Sequence, residues 1–292
     1  MHASTTVTRT RPHPHAMFGK TSAEAWNNRV VMKTPASEQR RSFDRAVEIY
    51  HEIRPSYPAP MFADLFRLLP AHPAILEVGP GTGQATHDLL GRGATVHAFE
   101  IGPAMAAKLR EALPSPALTV TVGDFEQIDV GEGRFDAVFS ATAYHWISQK
   151  AQVDKPASIL QPGGVIAIVD LNQVTSLDDK GFFAAVQPIF VRHGQGHVGP
   201  QAPERNAVDP LIRRALSDDP RFMDVKVRAY DWNQTYTAAE YRKLLLSNSN
   251  MQMMTASARQ PLLDDIEGFV RQQFDDQVTR PLVVTLTTAT AL

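Results

Sequence analysis

Residues 77–83 read Glu-Val-Gly-Pro-Gly-Thr-Gly and begin within the end of the apolar run AILEV at 74–78. Glycines at alternate positions let the backbone turn sharply and approach a ligand closely, and a helix opening just behind them offers free N–H groups. Glu100 closes a second apolar run, TVHAFE, where a carboxylate can accept both hydroxyls of a ribose. The dinucleotide fingerprint G-x-G-x-x-G/A fails in both registers. The sixth position is Gln84 counted from Gly79 and Thr86 counted from Gly81. That failure counts against a nicotinamide-dependent oxidoreductase. Asp124 and Phe125 follow a third run, LTVTV, and Ser140 lies near the end of a fourth, FDAVFSA. His145 comes just after, flanked by Tyr144 and Trp146, and an imidazole that titrates near neutrality is a natural general base.

These residues need a scaffold that brings the ends of separate strands together. Short apolar runs at 74–79, 95–100, 118–124, 135–141 and 164–170 read as buried strands, and helical segments lie between them. Strand–helix alternation predicts a parallel sheet with right-handed crossovers, helices on both faces and a ligand edge beyond the strands' carboxyl ends. Before the sheet, apolar spacing over 42–69 predicts two helices separated by RPSYP at 54–58. Behind it, GFFAAVQPIF at 181–190 reads as a helix, FMDVKVRAYDW as a strand, TAAEYRKLLL and PLLDDIEGFVRQQF as helices, and RPLVVTLTTATAL as a closing strand.

Composition narrows the function classes. The chain has 292 residues, 43% hydrophobic and 21% charged, which is ordinary globular usage with material for a large core. Lys+Arg number 29 against 31 Asp+Glu, a balance that argues against a nucleic-acid backbone or an anionic membrane as main partner. Without cysteine there is no disulfide scaffold, thiolate metal site or cysteine nucleophile. No apolar stretch approaches the ~18 residues of a membrane span, and the first residues lack the apolar region of an export signal. The expectation is a soluble, cytoplasmic protein with a small-molecule partner. Its oligomeric state is open, a homodimer included.

The loop ILEVGPGTG, the strand-ending acid of VHAFE, the GDFEQI segment and FDAVFSATAYHWI resemble the class I S-adenosylmethionine-dependent methyltransferases. RPSYP, AYHWI, TAAEYRKLLLSNS and the closing strand are similar to a small-molecule branch that includes trans-aconitate-type methyltransferases. The resemblance implies a Rossmann-like α/β fold: a mostly parallel seven-stranded sheet, an N-terminal helical lid and an inserted cap. It implies S-adenosyl-L-methionine as cofactor, with its methionine part along Gly79, Gly81 and Gly83 and its ammonium toward Glu77. Glu100 would take the ribose, Ile101 would pack on adenine, Asp124 would accept from the adenine amino group, and Phe125 would wall the ring. Ser140 would sit beside the sulfonium. Glu100 and Asp124 also have a plainer reading as helix caps.

On the acceptor side, His145 is either the general base or, with Tyr144 and Trp146, part of the pocket wall. Tyr50, Arg54 and Tyr57 are candidates for a substrate lid, Arg54 being either an anchor for an acidic acceptor or a solvated surface residue. His193, His197, His13 and His15 lack acids at ligand spacing and read as incidental; Met251, Met253 and Met254 read as core or apolar pocket. The expected organisation is a flexible tail over 1–40 and a single methyltransferase domain over 41–292. Within it, 41–72 forms the lid, 73–170 the cofactor-binding core, 171–220 the substrate cap, and 221–292 completes the sheet. The competing non-enzyme reading is a protein that binds the cofactor for regulation without catalysis.

Overall fold

The structure, a computed structural model, describes residues 46–196 and 202–292. The expected tail over 1–40, with His13 and His15, lies outside the described residues, as does His197. Helix α1 spans Val47–Ile53 and α2 spans Ala59–Phe66. Pro60 falls in the first turn of α2, where its missing N–H would have had no partner in any case. Met61, Phe62 and Leu65 give that helix a buried face.

The strands are β1 (Ala74–Val78), β2 (Thr95–Glu100), β3 (Leu118–Val122), β4 (Phe135–Ala141) and β5 (Leu160–Gln173), all parallel. Their crossovers include α3 (Thr86–Gly91), α4 (Pro103–Ala112) and α5 (Ala151–Ile159). Strand β6 (Phe222–Asp231) and the last strand, Leu282–Ala291, complete a seven-stranded sheet; the last strand lies between β5 and β6, antiparallel to both. From one edge the order is β3-β2-β1-β4-β5, then the last strand and β6. The chain steps outward from β1 to β2 and β3, then returns to place β4 on β1's other side. The carboxyl ends of β1 and β4 therefore flank the crevice where such sheets take ligands.

Alternation along the strands sends side chains to two cores. Leu76, Val138, Ile166 and Ile168 face Val153 of α5 on one side; Ile75, Ala137, Phe139 and Ala167 face Met61, Phe62 and Leu65 on the other. A third cluster lies apart from the sheet. It joins α6 (Phe182–Ala185), α7 (Gln187–Arg192), α9 (Ala238–Leu246), α10 (Ser249–Met253) and α11 (Ala256–Gln273) through Phe182, Ile189, Tyr241, Leu244, Leu262 and Ile266. Strand β7 (Gln234–Thr237) and β8 (Gln277–Arg280) pair antiparallel beside it, and Leu282–Ala291 is thus β9. Met251 and Met254 are buried in this third core.

The stretch expected as a substrate cap over 171–220 is divided by the structure. Residues 182–192 join the third core, whereas α8 (Leu211–Asp218) lies on the sheet, with Ile212 and Leu216 in the first core. Its apolar residues Leu211, Ile212, Ala215 and Leu216 recur at helical spacing over barely two turns, a short signal inside an otherwise irregular stretch. The C-terminal 221–292 likewise supplies β6 and β9 to the sheet but also most of the third core and the β7–β8 pair.

Candidate active site

Gly79, Gly81 and Gly83 carry φ of 66°, 61° and 100°, backbone that glycine adopts without penalty. The first also has no room for a side chain, since a Cβ on Gly79 would lie 2.5 Å from Ala143 Cβ. A Cβ on Gly83 would lie 2.7 Å from Leu109 of α4, so this glycine lets the loop pack on that helix. The Glu100 carboxylate clamps the turn: one oxygen accepts from Gly81 N at 3.0 Å, the other from Gly102 N at 2.9 Å. It is nearly buried, yet it borders an open cavity of about 710 Å³, mouth included.

Glu100, Ile101 and Met105 line one wall of this cavity, Asp124 and Phe125 a second, and Trp146 and Ile147 a third. Asp124 accepts from Glu126 N at 3.0 Å, and Lys155 lies 4.8 Å over the Phe125 ring while donating to the Phe125 and Ile128 carbonyls. Two carboxylates among aromatic and aliphatic walls suit a polar, ring-bearing ligand, with the glycine turn giving its chain close passage.

A second cavity of about 430 Å³ adjoins the first, and Tyr50, Gly79, Ala141 and Thr142 line both. Its other walls include Arg54, Tyr57, Glu77, Gln84 and Leu171. Thr142 turns the chain out of β4 with φ 54°, a region unfavourable to a β-branched residue. Two bonds hold it there: its N–H to Val169 O at 2.8 Å, and its hydroxyl to Tyr57 Oη at 2.9 Å. Arg54 stacks 4.8 Å over the Tyr50 ring and donates to Ser247 O at 3.1 Å and Asn248 Oδ1 at 2.8 Å, tying α1 to the end of α9.

Burial dominates the electrostatics here. It pushes the Glu77 carboxyl up to about 8, with Glu100 adding to the rise and the hydrogen bond from Thr86 Oγ1, at 2.7 Å, opposing it. The Tyr57 phenol is raised above its ordinary range by the same desolvation. Both side chains are therefore protonated at neutral pH in the ligand-free chain.

The residues singled out from the sequence fall into three groups. Gly81, Glu100, Ile101, Asp124 and Phe125 converge on the first cavity, Glu77, Arg54 and Tyr57 on the second, and Gly79 and Tyr50 on both, whereas Gly83, expected along the cofactor, lines neither. Trp146, expected on the acceptor side, lines the first cavity instead. Ser140, expected beside the sulfonium, is buried with its hydroxyl donating to Val78 O at 2.8 Å, which ties β4 to β1. Tyr144, expected at the substrate, is buried in the first core and donates to Gln152 O at 2.7 Å. His145 lines neither cavity. Its exposed ring stacks on Trp146 at 4.8 Å, and protein surrounding it at longer range lowers its pKa to about 4; with or without that pull it is neutral at pH 7. The physical reason is the Thr142 turn, which rotates the following short helix so that Trp146 and Ile147 face inward. Thr142, Ala143, Met105 and Leu171 were not singled out from the sequence, and as single small or apolar residues they carry no signal there.

Among the described residues no group of three or more His, Asp or Glu is placed to hold a metal, and no helix is long and apolar enough to cross a membrane. His193 is bonded to Asp265 at 2.7 Å.

Comparison with known proteins agrees with this geometry. A family model described as "Methyltransferase domain" matches residues 76–168, from β1 into β5. An uncharacterized methyltransferase of Mycobacterium tuberculosis (strain H37Rv) is 31% identical over 227 residues, 77% of this chain and 84% of that protein. A malonyl-[acyl-carrier protein] O-methyltransferase of Halorhodospira halophila is 31% identical over 183 residues, 59% of this chain and 62% of that one. Among solved structures, a putative methyltransferase from an antibiotic biosynthesis pathway of Anabaena variabilis superposes with a TM-score of 0.52 at 16% identity, over 78% of this chain and 96% of that chain. The Haemonchus contortus phosphoethanolamine N-methyltransferase 2, in complex with S-adenosyl-L-methionine, gives 0.50 at 18% identity, over 86% of this chain and 60% of that chain. By this kinship the chain belongs to the S-adenosylmethionine-dependent methyltransferases of the class I, Rossmann-like fold.

Proposed function

We propose that the chain transfers a methyl group from S-adenosylmethionine to a small organic metabolite, and that the acceptor enters through the second cavity. The observation that carries this reading is the meeting of the two cavities at Tyr50, Gly79, Ala141 and Thr142. A donor lying along the first cavity and an acceptor in the second would face one another across that shared wall.

The residues present fit the cofactor. Glu100 would accept from the ribose hydroxyls, Ile101 and Phe125 would enclose the adenine, Asp124 would accept from its amino group, and the methionine part would pass over Gly79 toward Glu77. Gly79 lines both cavities, so its bare backbone leaves a ligand close passage there. The bound cofactor supplies an electrophilic methyl on a positive sulfonium. The protein's part is to align acceptor and methyl and to exclude water, an orientation effect of up to ~7–11 kcal/mol in favourable cases.

The acceptor cavity supports an atom that is already nucleophilic. Its titratable lining residues are Tyr50, Arg54, Tyr57 and Glu77, of which Tyr57 and Glu77 are held protonated by burial, and His145 stands outside. A carboxylate oxygen fits this requirement, and one relative bears the name malonyl-[acyl-carrier protein] O-methyltransferase. The chain then fits the small-molecule branch that its flanking motifs resemble. The test is methyl transfer from radiolabelled S-adenosylmethionine to a panel of small carboxylic acids, amines and phenols. Turnover of small acids supports the reading; cofactor binding without turnover of any small acceptor supports the regulatory alternative.

A further inference from the structure

Helix α5 sends two side chains, three residues apart and so on one face, to two different walls of the first cavity. Lys155 reaches the wall built after β3. Its ammonium donates to the Phe125 and Ile128 carbonyls and lies 4.8 Å over the Phe125 ring. Gln152 reaches the wall built after β4, where its Nε2 donates to Tyr144 O and to Ile147 O, each at 3.1 Å. Each side chain thus bridges carbonyls three residues apart and pins one short turn.

The turns themselves carry the residues that face the ligand. Asp124 and Phe125 open the first, Trp146 and Ile147 close the second, and all four line the cavity. The first turn folds tightly on itself. Gln127 N and Ile128 N donate to Asp124 O at 2.9 and 3.2 Å, and a Cβ on Gly123 would lie 2.5 Å from Ile128 Cδ1. Those backbone bonds do not reach the Phe125 and Ile128 carbonyls, which are left to Lys155. Partial burial lowers the Lys155 pKa, while the charges of Asp124, Asp129 and Glu126 oppose that fall. Glu126 in turn accepts from Ser148 N at 3.2 Å, which ties the first turn to the residue after Ile147. The second turn is held through a proline. Pro156 lies inside α5 and has no N–H for Gln152 O, and Tyr144 Oη donates to that carbonyl at 2.7 Å.

We propose that Lys155 and Gln152 are positioning residues of the adenine site: α5 is a common strut for two of its walls, and Lys155 holds the Asp124 carboxylate where it accepts from the adenine amino group. The inference rests on that reading of the site, with adenine in the first cavity and its amino group at Asp124. A lysine suits the first turn because one ammonium supplies donors to two carbonyls and a positive charge to the face of Phe125. An amide suits the second, where two N–H donors on one nitrogen meet two carbonyls. The turns then differ in what they read. The one held by Lys155 bears the hydrogen-bonding acid and selects the base, whereas the one held by Gln152 bears Trp146 and Ile147 and grips any flat ring.

The test is calorimetry on the full chain with S-adenosylhomocysteine and with S-inosylhomocysteine, whose ring carries an oxo group in place of the amino group. Wild type should favour the adenine ligand at least about tenfold, because the oxo group leaves the Asp124 carboxylate without a donor. Lys155→Met, which keeps the stem and removes the ammonium, should weaken S-adenosylhomocysteine binding by about tenfold and cut that preference to about threefold or less. Lys155→Arg, which keeps the charge and its donors, should return both to within about threefold of wild type. Gln152→Met should weaken both ligands alike, by about threefold, with the preference intact, and it tests the strut even where Lys155→Met does not fold. A folded Lys155→Met protein that binds S-adenosylhomocysteine as wild type does would overturn the proposal. So would one that loses affinity for both ligands with the preference unchanged, the mark of a purely structural tether, or a Gln152→Met protein indistinguishable from wild type. Failure of the underlying reading looks different: wild type itself would bind the two ligands equally, which would remove the amino group from Asp124 and the base-selective role of Lys155 with it.

Discussion

Glu77→Gln separates the role of this carboxyl in folding from its role in cofactor binding. In the native ligand-free chain burial holds Glu77 protonated up to about 8, whereas the unfolded chain ionises it near the ordinary 4.5 of a glutamate. The folded state thus binds more protons, and stability falls as pH rises from 4.5 to 8. Each pH unit in that window is equivalent to ~1.4 kcal/mol, so the penalty at pH 7 has an upper bound on the order of 3 kcal/mol, reduced by relaxation around the group. Glutamine keeps an oxygen for the Thr86 hydroxyl and cannot ionise. Urea unfolding of the cofactor-free protein at pH 5.5, 7 and 8.5 should show the wild type losing stability with pH and the variant losing less. The variant should be the more stable by about 1–3 kcal/mol at pH 7 and above. The cofactor's ammonium should reverse this order. A cation beside Glu77 favours the carboxylate, so binding releases a proton below pH 8, and calorimetry in buffers of different ionisation enthalpy should detect it in wild type alone. Glu77→Gln should weaken S-adenosylmethionine by about tenfold. Parallel pH profiles, or a variant less stable than wild type at pH 8.5, would refute the claim that Glu77 is buried as a neutral acid.

Three further outcomes test the other assignments. Glu100→Ala removes the clamp on Gly81 and Gly102 together with the ribose acceptor, so S-adenosylmethionine affinity measured by calorimetry should fall at least about tenfold in a folded variant. His145→Ala should change kcat by less than about threefold and remove no neutral limb from its pH profile, because the imidazole faces neither cavity; a loss of about 100-fold, typical for a missing base, would restore it as catalytic. Leu216→Ala should destabilise by about 2–5 kcal/mol in urea with acceptor KM unchanged, as a sheet-packed core residue requires, whereas a residue of a substrate cap would shift KM.

The strands and their parallel order, the glycine turn, Glu100, Asp124 and the two helices around RPSYP were legible in the sequence. Their signals are local: apolar runs, glycines where φ is positive, and acids at strand ends. The position of AYHWI was also legible, but its orientation was not. One left-handed residue, Thr142, rotates the whole segment, so Trp146 meets the cofactor cavity, Tyr144 enters the core, and His145 turns outward. Ser140 differs from its expected role for a similar reason, since strand alternation directs its hydroxyl to Val78 O rather than to the crevice. Helix α8 is barely two turns long and is recognisable as core only once β6 is seen beside it. The pairing of β7 with β8, packed beside α9, was not legible either, because long-range pairing is what a linear pattern does not encode. Sequence alone thus determined the sheet, the cofactor turn and the chemistry available at the strand ends. Tertiary structure decided which of those side chains face a cavity, because turn dihedrals and inter-element packing, rather than residue type, set where each one points.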